Sequence, residues 1–262
     1  MPKVNANGIE INYQVQGSGD PVLLIGGVGA DMFLWFRQMP ELSKHFQVIA
    51  FDSRGAGESG KPDEPYTIEM FAADTAGLLQ ELGIERTHIV GASLGGLIAQ
   101  EFVLSYPDMV NKQVLVATAP KRPNPRLRDF PAILRTMRRS GDPALDIRRS
   151  FELFTTPEWF ETHGDVVKQY VEWRVAHPQP PFAYKRQQDA TKTYNAESRV
   201  GQMKAPTLIV LGTKDRLVPP KYGKWLAEHI PGAKLATIGA GHAVNIEQDE
   251  WFNRTVTEFL KG

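Results

Sequence analysis

Short apolar runs without a polar face recur along the chain, and segments with apolar residues at helical spacing separate them. A continuous apolar run is typical of a strand buried on both faces, because helices cover both sides of a parallel sheet. The pattern predicts strands over residues 21–25, 48–51, 88–90, 114–117, 207–211 and 235–238. It predicts helices over residues 32–44, 67–82, 94–105, 222–229 and 247–260. Alternating strands and helices indicate an α/β protein with a mostly parallel sheet.

The first residues show a different pattern, in which apolar and polar positions alternate around Asn7-Gly8. An Asn-Gly dipeptide favours the tight turn of a hairpin, because both residues tolerate a positive φ. Ile9, Ile11 and Tyr13 then share one face. We therefore predict that the chain opens with two antiparallel strands.

The alternation of strand and helix stops between residues 120 and 203. This segment contains arginines, prolines and aromatic residues in helical patterns but no clear strand. Pro123 and Pro125 mark its beginning, and a Lys204-Ala205-Pro206 turn leads back to the sheet. We interpret residues 120–203 as a helical cap over the strand ends, inserted into a core formed by residues 1–119 and 204–262.

Composition narrows the class of protein without identifying its function. The chain has 262 residues, 42% of them hydrophobic, and its formal net charge is zero, so nucleic acid and anionic membranes are not expected partners. It contains no cysteine, which excludes disulfides, thiolate catalysis and cysteine-based metal sites. The first residues lack the apolar core of a signal peptide, and no run is long enough to span a bilayer. We therefore expect a cytoplasmic protein.

The segment Gly91-Ala92-Ser93-Leu94-Gly95 lies between a predicted strand and a predicted helix. A serine hydroxyl is a weak nucleophile unless it is exposed beside a base. Glycines two places before and after Ser93 permit a sharp strand-to-helix turn that presents the hydroxyl in this way. The same pattern occurs in ordinary glycine-rich turns, but its position here favours Ser93 as a catalytic nucleophile.

A serine nucleophile needs a histidine base and a carboxylate that orients the histidine. Of the six histidines, His242 follows the predicted strand 235–238 through a glycine-rich loop, where open α/β sheets place their sites. Asp215 lies in the turn after strand 207–211, where an Asp is often only a turn former. The order Ser93, Asp215, His242 is the one expected after a nucleophile elbow, so we predict these three as a catalytic triad.

Acyl transfer also requires N–H donors for the oxyanion that forms. The backbone N–H of Leu94 begins the helix after Ser93, where free N–H groups and the helix dipole favour negative charge. We predict that the second donor is the N–H of Val28, in the loop Gly26-Gly27-Val28-Gly29; the alternative is a plain tight turn. This loop lacks the lysine of a phosphate-binding loop and the third glycine of a dinucleotide fingerprint, so we expect no cofactor. We also expect no metal, since cysteine-based metal sites are excluded.

Together these motifs resemble the α/β-hydrolase superfamily over essentially the whole chain. The segment Phe51-Asp52-Ser53-Arg54-Gly55-Ala56-Gly57-Glu58-Ser59 is similar to the family's D-x-R-G-x-G-x-S turn. The passage from Trp35 to Gly96 looks most like the branch of 3-oxoadipate enol-lactonases and small-molecule carboxylesterases. The resemblance implies an eight-stranded sheet flanked by helices, a helical cap, and a structural role for Asp52 and Arg54.

The leading hypothesis is a cofactor-free serine hydrolase that cleaves a carboxylic ester or lactone of a small molecule. The same triad also serves C–C hydrolases, perhydrolases and acyltransferases, and a ligand-binding sensor with slow hydrolase chemistry would retain it. Dehalogenation and epoxide opening need a carboxylate at the nucleophile position, which Ser93 occupies here. A purely structural role would leave three separately placed motifs unexplained.

Between residues 121 and 149 the predicted cap carries nine Lys or Arg against three Asp. Such a run is most simply a solvated helix face, and the alternative is that it attracts an anionic substrate such as a carboxylated lactone. The aromatic residues of the cap are expected to form mainly its core, with one or two lining an apolar pocket: Trp159, Phe160, Tyr170, Trp173, Phe182 and Tyr184. The sequence leaves the substrate and the oligomeric state open.

Overall fold

One eight-stranded sheet organises the chain in the computed structural model, which describes residues 1–123 and 140–262. The strands are β1 (Lys3–Ala6), β2 (Ile9–Gln16), β3 (Pro21–Ile25), β4 (Gln47–Phe51), β5 (Thr87–Ala92), β6 (Val110–Val116), β7 (Thr207–Gly212) and β8 (Lys234–Ile238). Their order in the sheet is β1-β2-β4-β3-β5-β6-β7-β8. The pairs formed by β1 and β2 are antiparallel and all others are parallel, which confirms the predicted fold class.

The predicted hairpin at the beginning of the chain is confirmed. β1 and β2 pair in antiparallel register, with Ala6 opposite Ile9. The two turn residues both have positive φ, 48° at Asn7 and 80° at Gly8. These values are the ones that a two-residue hairpin turn requires, and they explain why Asn-Gly stands here.

Ten α-helices are formed by the described residues: α1 (Met39–Leu42), α2 (Ile68–Glu81), α3 (Leu94–Ser105), α4 (Pro143–Phe154), α5 (Pro157–Thr162), α6 (Gly164–Ala176), α7 (Pro181–Thr193), α8 (Pro220–His229), α9 (Val244–Glu247) and α10 (Asp249–Lys261). Short 3₁₀ turns lie at Met32–Trp35, Pro107–Met109 and Val200–Gln202. Among these residues, no helix combines the length and the apolar character that crossing a bilayer requires.

The single helix predicted over residues 32–44 is wrong. The structure has the 3₁₀ turn Met32–Trp35 and then α1, which contains Pro40 in its first turn. A proline is tolerated only in the first turn of a helix, because it lacks an N–H and its ring clashes with the preceding turn. A helix that began at residue 32 could therefore not have continued through Pro40.

The two faces of the sheet are covered by separate apolar clusters. In β3, Leu23 and Ile25 pack with the cluster under α2 and α3, whereas Val22 and Leu24 pack with the cluster that includes Trp35 and α10. All four side chains are fully buried. Because both faces of the strand are covered, its sequence is continuously apolar rather than alternating.

Helices α4 to α7 lie between β6 and β7 along the chain and form what we call the helical layer. Phe151, Trp159, Phe160 and Val167 make a small core of this layer, to which Ile246 of α9 also contributes. Apart from an isolated bridge between Lys121 and Asn195, the described part of the segment 120–203 contains no β pairing.

The predicted cap boundaries at 120 and 203 stay a prediction, and Pro125 lies outside the described residues. So do most of the basic residues counted between 121 and 149. Two of the aromatic residues expected in the core of this segment, Phe182 and Tyr184, are instead 40% exposed.

Candidate active site

Ser93 occupies the turn between β5 and α3, at the carboxyl end of a central strand. Its backbone has φ 55° and ψ −112°, which a residue with a side chain rarely adopts and which costs on the order of 1–3 kcal/mol. The Ser93 N–H donates to the Val116 carbonyl at 2.9 Å, and the Thr118 hydroxyl donates to the Ser93 carbonyl at 2.8 Å. Residues at the end of the neighbouring strand β6 thus hold the strained turn in place.

The glycines on either side of Ser93 are required by contacts between backbone segments. A Cβ atom on Gly91 would lie 2.2 Å from the Gly95 carbonyl oxygen, and one on Gly95 would lie 2.1 Å from the Ile25 carbonyl oxygen. Both distances are far shorter than a van der Waals contact. The turn is therefore sharp enough to fold α3 back against β5 and to place its first residues over the end of β3.

Asp215 follows β7 and does two things at once. Its Oδ1 accepts hydrogen bonds from the backbone N–H groups of Leu217 and Val218, at 2.8 and 2.9 Å. Its Oδ2 accepts from Nδ1 of His242 at 2.8 Å. The carboxylate is thus both the turn former and the histidine partner that the sequence analysis offered as alternatives, and its own turn fixes its orientation.

His242 lies in the loop after β8, with its ring held between a carboxylate and an aromatic side chain. The ring is paired to Asp215, and its centroid lies 5.9 Å from that of Phe154. When Nδ1 donates to a carboxylate, Nε2 is left as the acceptor nitrogen, which is the tautomer that a general base needs. Only 12% of the side chain is exposed, so solvent competes little for this pair.

A buried glutamate that the sequence analysis missed holds the His242 loop. Glu247 accepts from the backbone N–H of Gly241 at 2.8 Å, from the backbone N–H of Thr156 at 3.1 Å and from the Thr156 hydroxyl. One carboxylate therefore ties the histidine loop to the beginning of α5. The only sequence signal for it is its position five residues after His242.

Parallel strands bring these residues to one edge of the sheet, because β5, β7 and β8 all end there. A cavity of about 190 Å³ opens at this edge. It is lined by Val28, Ser93, Leu94, Leu97, Thr118, Ala119, Arg122, Pro123, Thr191, Leu217 and Val218. Ser93 and the turn formed by Asp215 thus face one space.

The Ser93 hydroxyl and the His242 ring share no direct hydrogen bond within the described residues. Asp215 is hydrogen-bonded to His242, and Ser93 lines the cavity beside the Asp215 turn. The remaining contact of a triad, between the Ser93 hydroxyl and the His242 ring, is not formed. Contacts of this kind are often long in a free enzyme and shorten when substrate binds.

Val28 and Leu94, the two predicted oxyanion donors, both border the cavity. Within the described residues, neither backbone N–H is used in a hydrogen bond. A Cβ atom on Gly27 would lie 3.4 Å from the Ser93 Cβ, so the glycine loop passes directly beside the serine. Two residues with unpaired backbone N–H groups therefore border the same cavity as Ser93.

Three other histidines serve as helix ends. His163, His177 and His229 each follow a tryptophan by four residues, and each bonds through Nδ1 to that tryptophan's carbonyl at 2.8–2.9 Å. Their rings stack on the same tryptophans, with centroids 3.8–4.4 Å apart. At Trp159 and Trp173 the same carbonyl also accepts the backbone N–H of the histidine, so the ring adds a second hydrogen bond in the last turn of the helix.

A family model described as alpha/beta hydrolase fold matches residues 20–249. The chain belongs to this family. Asp52 and Arg54, for which the resemblance implies a structural role, both make structural contacts in this chain. Asp52 binds the N–H groups of Met32 and Glu58, and Arg54 forms a buried two-bond pair with Asp74.

Relatives with several hydrolase names match nearly the whole chain. A protein of Azorhizobium caulinodans named "Putative carbamate hydrolase RutD" is 28% identical over 260 residues, which is 99% of this chain and 98% of that protein. 3-oxoadipate enol-lactonase 2 of Acinetobacter baylyi is 26% identical and covers 98% of this chain and 96% of its own. The crystal structure of the enol-lactonase from Burkholderia xenovorans LB400 superimposes with a TM-score of 0.89, at 28% identity and full coverage of both chains.

Proposed function

We propose that the protein is a serine hydrolase that cleaves a carboxylic ester or lactone of a small molecule through an acyl-enzyme on Ser93. The observation that carries the proposal is the strained Ser93 turn on a cavity, at the sheet edge where Asp215 and His242 are paired. The enol-lactonase relatives support hydrolysis of a cyclic ester in particular.

In the proposed reaction Ser93 Oγ attacks the substrate carbonyl carbon and passes its proton to Nε2 of His242. The carbonyl oxygen becomes an oxyanion and accepts hydrogen bonds from the N–H groups of Val28 and Leu94. Asp215 stabilises the imidazolium. The bond to the leaving oxygen then breaks as His242 returns the proton to it, and a water activated by the same imidazole releases the acyl group.

The cavity supports a small substrate with one charged end. Its volume of about 190 Å³ lies below the range of most drug-sized ligand pockets, and side chains such as Leu97, Leu217 and Val218 make most of it apolar. Arg122 also lines it and forms no ion pair within the described part of the chain. We propose that this guanidinium receives a carboxylate of the substrate, which favours carboxylated lactones over plain ones.

The test is a substrate panel with a Ser93→Ala control. Short and long p-nitrophenyl esters, plain lactones and carboxylated lactones are compared, and we expect turnover that the Ser93→Ala variant reduces on the order of 10⁴- to 10⁶-fold while remaining folded. Retained turnover in that variant would refute Ser93 as the nucleophile. Stoichiometric labelling by a fluorophosphonate without steady turnover would favour the sensor hypothesis.

A second candidate is carbamate hydrolysis, which the name of the Azorhizobium relative favours. The same triad would form a carbamoyl-enzyme in place of an acyl-enzyme. A p-nitrophenyl carbamate and the ester of matched size are compared under steady-state conditions. Faster turnover of the carbamate would select this candidate, and a burst followed by slow release would favour the ester or lactone.

A further inference from the structure

Gln187 of α7 is a fully buried polar side chain that contacts the loop beside Ser93. Its Oε1 accepts from the backbone N–H of Gly29 at 2.8 Å, and its Nε2 donates to the Arg54 carbonyl at 2.8 Å. A second amide, Gln179, donates to the same Oε1 at 3.2 Å and to the Gly55 carbonyl at 2.6 Å. One side chain thus joins the helical layer to two loops of the sheet edge.

The chemistry of the two backbone partners fixes the orientation of the Gln187 amide. The Gly29 N–H can only donate and the Arg54 carbonyl can only accept, so an amide flipped by 180° would lose both bonds. A carboxylate at this position could accept from the Gly29 N–H but could donate to the Arg54 carbonyl only when protonated. The contact therefore favours glutamine over glutamate at position 187.

Gly29 follows Val28 directly, so the Gln187 bond acts on the residue next to a proposed oxyanion donor. Gly29 has φ 73°, and a Cβ atom on it would lie 2.8 Å from the Tyr184 ring. The loop is therefore held between two side chains of α7, one by hydrogen bonding and one by packing. Thr191, one helical turn beyond Gln187, lines the cavity itself.

We propose that Gln187 is a positioning residue, which keeps the Val28 N–H directed at the substrate carbonyl. The direction of this N–H would then depend on the position of α7 over the cavity. The proposal rests on the proposed function, because it needs an oxyanion at this place. It acts through Gly29 and the backbone, and Gln187 itself does not touch the substrate. The helical layer would then contribute to turnover as well as to substrate choice.

The test is Gln187→Met, which keeps the length of the side chain and removes both hydrogen bonds. Complete loss of one oxyanion donor typically costs about 10²- to 10³-fold in kcat, so a misdirected donor should cost roughly 10- to 100-fold, with KM changed less than about threefold. Affinity for phenylboronic acid, which forms a charged tetrahedral adduct with the serine, should fall in parallel with kcat.

Gln113→Met is the matched control. Gln113 is equally buried, and its Nε2 donates to the Thr207 hydroxyl at 2.8 Å at the opposite edge of the sheet from Ser93. It should lower Tm as Gln187→Met does and leave kcat and boronate affinity unchanged. If Gln187→Met does not fold, Gln187→Asn replaces it, because its shorter amide still accepts water but cannot reach both partners directly.

Unchanged kcat and boronate affinity in a folded Gln187 variant would overturn the proposal, as would a rise in KM with kcat intact. Equal losses of kcat in the Gln187 and Gln113 variants would also overturn it, since a general loss of packing would then explain both. Failure of the proposed function gives a different result, in which wild-type turnover and boronate binding are absent or persist in Ser93→Ala.

Discussion

The carboxyl edge of the sheet and the helical layer contact the same cavity but are held together differently. At the sheet edge, short local segments fix the groups: the Asp215 carboxylate is oriented by N–H groups two and three residues further on, and Ser93 by its own turn. The helical layer is joined to the loops around the cavity by side chains that bond to distant backbone, such as Gln187 to Gly29. Local turns thus orient the candidate catalytic side chains, and long-range contacts position the loops around them.

The two regions also differ in their cores. The sheet is covered on both faces by large apolar clusters, whereas the helical layer has a small cluster of its own and several polar ties to the sheet. Asp31 accepts from Trp173 Nε1 at 3.0 Å and from Arg174 Nη1 at 3.3 Å, and Arg216 donates to the carbonyls of Glu152 and Thr155. A hydrogen bond between two side chains or to a backbone group requires a specific partner, whereas apolar packing is less specific. Substitutions in the two regions should therefore differ in their effects on activity and stability.

The largest effect is expected at the sheet edge, for Asp215→Asn. The N–H groups of Leu217 and Val218 will hold the Asn oxygen, so its NH₂ group must face Nδ1 of His242. The imidazole then carries its proton on Nε2 and cannot act as a base, which should lower kcat on the order of 10⁴-fold. Steady-state kinetics and a thermal melt check that activity is lost while the fold persists.

Asp165→Asn, an exposed change of the same kind in α6, provides the kinetic control and should leave kcat unaltered. An Asp215→Asn variant within about tenfold of wild-type kcat would show that the Asp215–His242 pair has no part in turnover.

A smaller effect is expected at the wall of the cavity, for Arg122→Met. Because Arg122 is exposed and solvent screens its charge, kcat/KM for a carboxylated lactone should fall roughly tenfold and that for a neutral ester should stay within about twofold. The difference should shrink as salt is added. Steady-state kinetics on both substrates over a range of ionic strength measure it.

Lys121→Met removes the same charge one residue away, from a lysine that is paired with Glu197 at 2.6 Å and does not line the cavity. It should leave the preference for the carboxylated substrate intact. Two outcomes would show that Arg122 does not cause the preference for the carboxylated substrate. Either both variants lose this preference equally, or kcat/KM for the neutral and the charged substrate shows the same salt dependence.

The smallest effect is expected at the amino end of β5, where His88 is buried. Burial, with the nearby Lys112, lowers the pKa of His88 in the folded protein below its usual 6.5. As pH falls through 6.5, the unfolded chain binds a proton that the folded chain resists, so stability is full above this pH and declines below it.

His88→Gln should remove this decline, which for one proton cannot exceed about 1.4 kcal/mol per pH unit. Urea melts of both proteins at several pH values between neutral and mildly acidic measure the difference. The kcat of the variant should match that of wild type, since the change lies at the opposite end of the strand from Ser93. An identical pH slope in both proteins would contradict the assignment.

Most of the sheet could be predicted from the chain, because strands buried on both faces need continuous apolar runs and the Asn7-Gly8 turn needs its two positive φ angles. The prediction failed over residues 32–44, where apolar spacing was helical but Pro40 interrupts the hydrogen bonding. Helical spacing also could not tell which of the cap aromatics are buried, and Phe182 and Tyr184 are 40% exposed, because spacing does not reveal which face another segment will cover.

The sequence by itself determined the fold class, because apolar runs and helical patterns alternate along the chain, and the Ser93 turn, because that turn depends on contacts within one short segment. It also predicted three candidate catalytic residues from their order along the chain. Only the tertiary structure decided which glutamine faces Gly29, that Glu247 holds the His242 loop, and that Arg122 borders the cavity. Gln113 and Gln187 are equally buried and look alike in the sequence. Their hydrogen-bond partners differ because contacts between residues distant in sequence form only when separate helices and strands pack together. The local sequence pattern does not reveal how they pack.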